Sequence, residues 1–277
     1  MGETTSHPDD QPFQHYSAKH RAVAWISRNL FDHVTYTVRR GLLKGMKRKG
    51  GMAWLPGGDA ATPEQEFWLR QDFRGLTVYD VGAFHGLLTL FFARQAKQVI
   101  CYEPNQSNRT RLLENLALNR VANVEVRPLG VGSEPGILTM VTQPDMPGGA
   151  SVEANMVDGL LRSPNKVVQE QISVVTLDGD IRQNSMPPPD FIKIDIEGAE
   201  LAALMGARET LTVCRPQLFL EMHGETMNLK RRKVAEIVDY LFETGYTDIR
   251  HIETGARINP TNAALAAQGH LYCKYPQ

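Results

Sequence analysis

Runs of apolar and polar positions mark out the elements along the chain. Thr77-Val78-Tyr79-Asp80-Val81 is β-branched and aromatic, the composition of a buried strand. Leu87, Leu88, Leu90, Phe91 and Phe92 follow as a helix that is apolar on most of its surface, as a helix packed on a sheet must be. Gln98-Val99-Ile100-Cys101-Tyr102 predicts the next strand, and a second helix runs to Asn119. Residues 124–129, 136–141 and 172–177 each carry strand character, and Phe191-Ile192-Lys193-Ile194 and Gln217-Leu218-Phe219-Leu220 resemble strands buried on both faces. Val234, Ile237, Val238 and Leu241 recur at helical spacing, and two short strands are expected at 248–252 and 270–275. Upstream, Val23, Ile26, Leu30, Phe31, Val34 and Val38 predict an amphipathic helix within 18–46, and Thr62-Pro63-Glu64-Gln65-Glu66 starts another with proline at its first position. Strands alternating with helices predict an α/β fold with a mostly parallel sheet.

The first strand, helix and second strand enclose the most informative turn. Gly82 and Gly86 bracket it, and Glu103 ends the second strand about 20 residues later, the spacing that sets a carboxylate on ribose hydroxyls in a nucleotide-binding βαβ unit. A dinucleotide site wants a further glycine where the backbone approaches the pyrophosphate. Gly82-Ala83-Phe84-His85-Gly86 lacks it and suits a cofactor with ribose and adenine but no phosphate, such as S-adenosylmethionine. Asp80 at the strand tip can face the cationic amino-acid end of that cofactor, whereas beside a pyrophosphate it would be repelled. In an open parallel sheet, ligands bind outside the carboxyl ends of the strands. Asp80, Glu103, Asp195, Glu197, Glu221 and His223 are therefore expected to converge on one crevice.

Length and charge refine this picture. The 277 residues suffice for one large domain with an extension, and the division is set at 1–53, an N-terminal extension with a basic amphipathic helix, and 54–277, the domain that carries the cofactor turn. A net charge of −1 makes no global case for a nucleic-acid or membrane partner. The local run 39–49, RRGLLKGMKRK, can nevertheless grip phosphates, an acidic polymer or a membrane surface, the plain alternative being a solvated linker. Residues 1–17 are expected to be disordered, 50–58 to connect through Trp54 and Leu55, and the loop 143–151 to cover an acceptor. Cys101, Cys214 and Cys273 lack metal-type spacing and are expected to be buried thiols in a reducing compartment. With no secretory pattern in the first residues and no apolar run near the roughly 20 residues that span a bilayer, a cytoplasmic protein is expected.

The YDVGAFHG turn, the YEPN tip, PLGVGSEPG, DFIKIDIEGAE and RPQLFLEMH occur in the order seen in the FkbM-type S-adenosylmethionine-dependent methyltransferases, and the chain resembles that family from Thr77 to His223. The resemblance implies a Rossmann-like class I methyltransferase fold, with a mostly parallel seven-stranded sheet, helices on both faces and an antiparallel strand near one edge. It implies methyl transfer, often to oxygen on sugars or natural products. By position, Asp80, Gly82, Ala83, Phe84, His85 and Gly86 would hold the methionine part of the cofactor and Glu103, with Pro104 and Asn105, the ribose. Glu197, Gly198 and Glu200 match its acidic strand-to-helix motif, and Glu221 and His223 its strand end, the acceptor side.

For the chemistry, His223 is the leading base, because a histidine titrates near neutrality. Asp195 caps the following helix or orients an acceptor, and Lys193 neutralises nearby carboxylates. Asp195, Glu197, Glu221 and His223 also leave open a divalent cation such as magnesium. The acceptor is a sugar, glycan or small hydroxylated metabolite, with RNA or lipid as the alternative if the basic arm takes part. A NAD-dependent oxidoreductase or a non-catalytic nucleotide-binding protein stays open as a different class.

Overall fold

The computed structural model describes residues 32–50, 61–142, 150–151 and 167–276. The proposed boundary at 53/54, Trp54, Leu55, the first 31 residues and positions 143–149 of the expected acceptor loop lie outside them.

Where the apolar pattern predicts the end of an amphipathic helix, the chain instead forms a hairpin of β1 (Thr35–Thr37) and β2 (Lys47–Lys49), with Tyr36 opposite Arg48. Gly41 and Gly45 between them take left-handed φ of 70° and 87°, which a continuing helix does not tolerate. Val38, Leu42 and Leu43 then turn inward and are buried. Helix α1 (Pro63–Arg70) starts as expected, its N-cap Thr62 accepting from the Gln65 N–H and proline at its first turn.

The core unit follows: β3 (Thr77–Val81), α2 (Leu87–Ala93), β4 (Gln98–Tyr102), α3 (Gln106–Leu118) and β5 (Val124–Arg127). Next come β6 (Gly130–Val131), β7 (Gly136–Thr142), β8 (Ala150–Ser151) and β9 (Val168–Val175). The chain continues through α4 (Leu177–Asn184), β10 (Phe191–Ile194), α5 (Glu200–Met205), α6 (Arg208–Val213), β11 (Gln217–Glu221) and α7 (Met227–Glu243). It ends in β12 (Asp248–His251), β13 (Arg257–Ile258) and β14 (His270–Lys274).

The large sheet has the order β13-β12-β14-β11-β10-β3-β4-β5. Its five strands from β11 to β5 run parallel, and β14 lies antiparallel between β11 and β12. The two-residue β13 adds an eighth strand at the edge to the seven expected. Alternate residues feed two cores. Tyr79, Val81, Ile192, Ile194, Leu218 and Leu220 pack with α7, while Val78, Val99, Phe191 and Phe219 pack with Trp68, Phe92 and the hairpin. A second sheet, β6-β9-β7-β8, stands apart from the first. Cys101 and Cys273 are buried as expected, but Cys214, just past α6, is exposed.

Candidate active site

The glycine turn closes β3 onto β10. A side chain at Gly82, whose φ is 86°, would place its Cβ 1.8 Å from the Asp195 carbonyl oxygen, so only glycine lets the two strand ends meet. Phe84 holds φ at 50°, rare for a bulky residue and a conformation that concentrates at ligand sites. Two contacts retain it: its N–H donates to Glu103 Oε2 at 2.8 Å, and its ring stacks on His85 at 3.8 Å. Burial, with the Arg111 and Arg48 charges, pulls the His85 imidazole down to about 4, so it is a neutral support behind Phe84.

Glu103 sits 5% exposed at the end of β4, with Oε1 accepting from the Asn105 N–H at 2.9 Å and Asn108 Nδ2 at 3.3 Å. Burial outweighs these donors and pushes its carboxyl up to about 7. Asn105 caps α3, its Oδ1 accepting from the Asn108 N–H, and its Nδ2 donates to Glu170 of β9 at 2.9 Å. That bond ties the second sheet to the nucleotide side of the first.

A cavity of about 530 Å³ opens at the carboxyl ends of the strands. Of the residues expected from sequence, Gly82, Phe84, Glu103 and Pro104 line one part and Asp195, Glu197 and Glu221 another. Ala83, His85, Gly86, Asn105 and His223 stand behind the lining. Asp80 stands behind it too and is fully buried, so it does not present its carboxylate to a ligand as expected. Sequence reasoning missed the wall made by Leu129, Gly130, Met140, Ile172 and Val174, together with Asn108. The alternation in β7 and β9 marks an apolar face, but nothing local says that this face covers the crevice.

Asp80 Oδ2 accepts from Thr89 at 2.6 Å, while Oδ1 makes no hydrogen bond and has the Lys193 ammonium 3.4 Å away. Lys193 also lies 3.0 Å from Asp195 Oδ2 and donates to the Gly82 carbonyl at 2.7 Å. Burial disfavours the ammonium, but Asp195 and Asp80 outweigh it and raise the Lys193 pKa. The neutralising role expected for Lys193 is thus what its contacts provide. Burial likewise acts against the Asp195 carboxylate, and Lys193 and His223 overcome it, leaving its pKa lowered.

His223 is enclosed by carboxylates. Its Nδ1 is 2.9 Å from Glu200 Oε1, and Nε2 is 3.5 Å from Glu197, 3.6 Å from Glu221 and 3.7 Å from Asp195. Burial pulls its pKa down, but the hydrogen bond to Glu200 and the charges of Glu200, Glu197 and Asp195 carry it up to about 9. Glu200, 1% exposed, also accepts from the Gly198 N–H at 3.0 Å and steadies the turn in which Glu197 holds φ at 55°. Burial pushes the Glu197 carboxyl up to about 7; Asp195, Glu221 and Glu200 add to this and His223 opposes it.

One ligand atom from each of Asp195, Glu197 and His223 lies within 4.8 Å of the others, a spacing compatible with a metal ion. The donor set does not fit magnesium well. One of its three donors is an imidazole nitrogen, whereas magnesium prefers an octahedron of oxygens.

These features define a Rossmann-like class I methyltransferase fold with its crevice at the carboxyl ends of the strands. Residues 80–247 match the methyltransferase FkbM domain, more than half of the chain, and the protein belongs to that family. Methyltransferase 1 of Beauveria bassiana (strain ARSEF 2860) is 26% identical over 142 residues, covering 47% of this chain and 57% of that protein. Methyltransferase sdnD of Sordaria araneosa is 26% identical over 156 residues, covering 48% and 60%. The chain therefore spans less than two thirds of the length of these curated relatives. Among solved structures, a methyltransferase FkbM from Methylobacillus flagellatus KT is 21% identical with a TM-score of 0.47, covering 76% of this chain and 50% of that one. No helix among the described residues is long and apolar enough to cross a membrane.

Proposed function

We propose that this chain is an S-adenosylmethionine-dependent methyltransferase acting on a hydroxyl oxygen of a sugar, glycan or other small hydroxylated metabolite. The observation that carries the reading is that one cavity joins the glycine turn and Glu103 to Asp195, Glu197 and Glu221. Its volume of about 530 Å³ suits a nucleoside bearing an amino-acid chain, and its apolar wall suits an adenine ring. Glu103 retains acceptor capacity for the two ribose hydroxyls, and Gly82 and Phe84 line the part where the amino-acid chain would lie.

When bound, S-adenosylmethionine supplies a methyl group already activated on a sulfonium. The residues of the chain then have to position the acceptor and handle its proton. Carboxylates accept hydrogen bonds from hydroxyls, so Asp195 and Glu221 suit a polyol. Glu197 lines the cavity with its side chain 29% exposed and can take the acceptor proton. Its carboxyl at about 7 suits that task near neutral pH. His223 turns both ring nitrogens to carboxylates and acts as the cation that holds them, becoming a base only above about 9. The free thiols, two of them buried, suit a reducing compartment such as the cytoplasm.

Calorimetry with the demethylated cofactor and with NAD, followed by a labelled methyl-transfer screen over sugars, small hydroxylated metabolites, lipids and RNA, tests the reading. The demethylated cofactor should bind and NAD should not. Glu197→Gln should cut turnover by about 10² to 10⁴ with cofactor affinity unchanged. Chelator should leave the rate intact. NAD binding, full activity of the variant, or a chelated rate restored by magnesium would each reverse a part of the assignment.

A further inference from the structure

Within the basic run 39–49 Arg48 acts on His85 behind the cavity lining, and the fold carries most of the other cations elsewhere. Helix α2 descends from the glycine turn to Arg94, and α3 descends from Asn105 to Arg120, so both end at the amino-terminal edge of the parallel strands. The hairpin lies along them. Asn119 exchanges hydrogen bonds with the Lys47 backbone at 2.8 and 2.7 Å, Asn115 Oδ1 accepts from the Lys49 N–H, and Arg94 donates to the Leu42 carbonyl at 3.2 Å. These bonds bring Arg39, Lys44, Lys47, Arg94, Lys97 and Arg120, all exposed, to that edge. Of the acids at this edge, Asp72 is ion-paired with Arg74 at 2.5 Å and Asp190 accepts from the Thr77 N–H at 2.8 Å. Lys49, by contrast, is spent on Glu114 at 2.6 Å.

We propose that this edge docks the protein on an anionic lipid surface, leaving the crevice at the opposite end of the strands facing away from the bilayer. Three observations favour a bilayer over a nucleic-acid strand. The edge is remote from the cavity, so a polymer held there would not be presented to Glu197. Among the described residues the one exposed Phe, Tyr or Trp is Phe84, which belongs to the cavity, so none of these rings offers a stacking platform at the edge. The sequence leading into the hairpin, with Val23, Ile26, Leu30 and Phe31 spaced among Lys19, Arg21 and Arg28, has the pattern of a basic amphipathic segment. Lysine and arginine near an anionic leaflet add their attractions and lose them to salt.

Co-sedimentation of the full chain with phosphatidylcholine vesicles, with and without phosphatidylglycerol, tests the proposal beside single-stranded RNA. Binding should appear with phosphatidylglycerol alone, vanish at high salt, and weaken more than about tenfold in Arg39→Glu/Lys44→Glu/Lys47→Glu. An unchanged thermal midpoint would show that this variant is folded, since the three side chains are exposed. No excess binding to the anionic vesicles, undiminished binding by a folded variant, or tighter binding of RNA than of vesicles would overturn it.

Discussion

Asp80 and Glu103 read alike in sequence, as acids at the tips of neighbouring strands, but burial and partners separate them. Asp80 is wholly enclosed and shares the Lys193 ammonium with Asp195, whereas Glu103 reaches the cavity. Asp80→Ala leaves the buried Lys193 ammonium with Asp195 alone and Thr89 without its acceptor, so it should cost about 3 kcal/mol in urea unfolding. Glu103→Ala should act chiefly on binding, weakening the demethylated cofactor by about 10- to 100-fold in calorimetry, because hydrogen bonds to a carboxylate are worth about 1.5–3 kcal/mol. Its stability cost should be the smaller of the two, since burial already disfavours the Glu103 carboxylate. The opposite pattern would mean that Glu103 holds the fold and Asp80 the ligand.

At the scale of elements, Glu170 on β9 fastens the wall of the second sheet to the cap of α3 through Asn105 and the Gln106 N–H. Glu170→Ala should loosen that wall, speed hydrogen exchange in β9 and weaken the demethylated cofactor about tenfold; protection and affinity as in the wild type would show that the apolar packing suffices. The strands of the large sheet other than the two-residue β13 were legible from sequence, because period and composition act within a few residues, and so was the α1 start at Thr62-Pro63. What could not be read is long-range. Val34 and Val38 lie four apart and suit a helix, but Asn115 and Asn119, distant in sequence, hold the backbone of 47–49 as a strand. His270 escaped notice for the same reason, since it is defined by the register that sets it opposite Glu221, and Glu200, which the strand-to-helix motif does mark, gains its role only through its bond to His223.

Across the whole molecule, those contacts join into a line of alternating charge over the carboxyl edge of the sheet. Glu253 meets His270 at 2.6 Å, His270 lies 3.7 Å from Glu221, Glu221 lies 3.6 Å from His223, and His223 meets Glu200 at 2.9 Å. Burial disfavours each imidazolium, yet the carboxylates outweigh it and carry both His223 and His270 up to about 9 from 6.5. A raised pKa means that the folded state binds the proton more tightly than the unfolded chain does. The resulting stability is full below about 6.5 and is lost as the pH rises through about 9. That interval is worth at most about 3 kcal/mol for each histidine. The urea midpoint of the wild type should therefore fall between pH 6.5 and 9, while His223→Gln/His270→Gln, less stable at the lower pH, should vary much less over the same range. Parallel curves for the two proteins would show that neither histidine is held as a cation, and would return His223 to the role of a neutral base beside the acceptor.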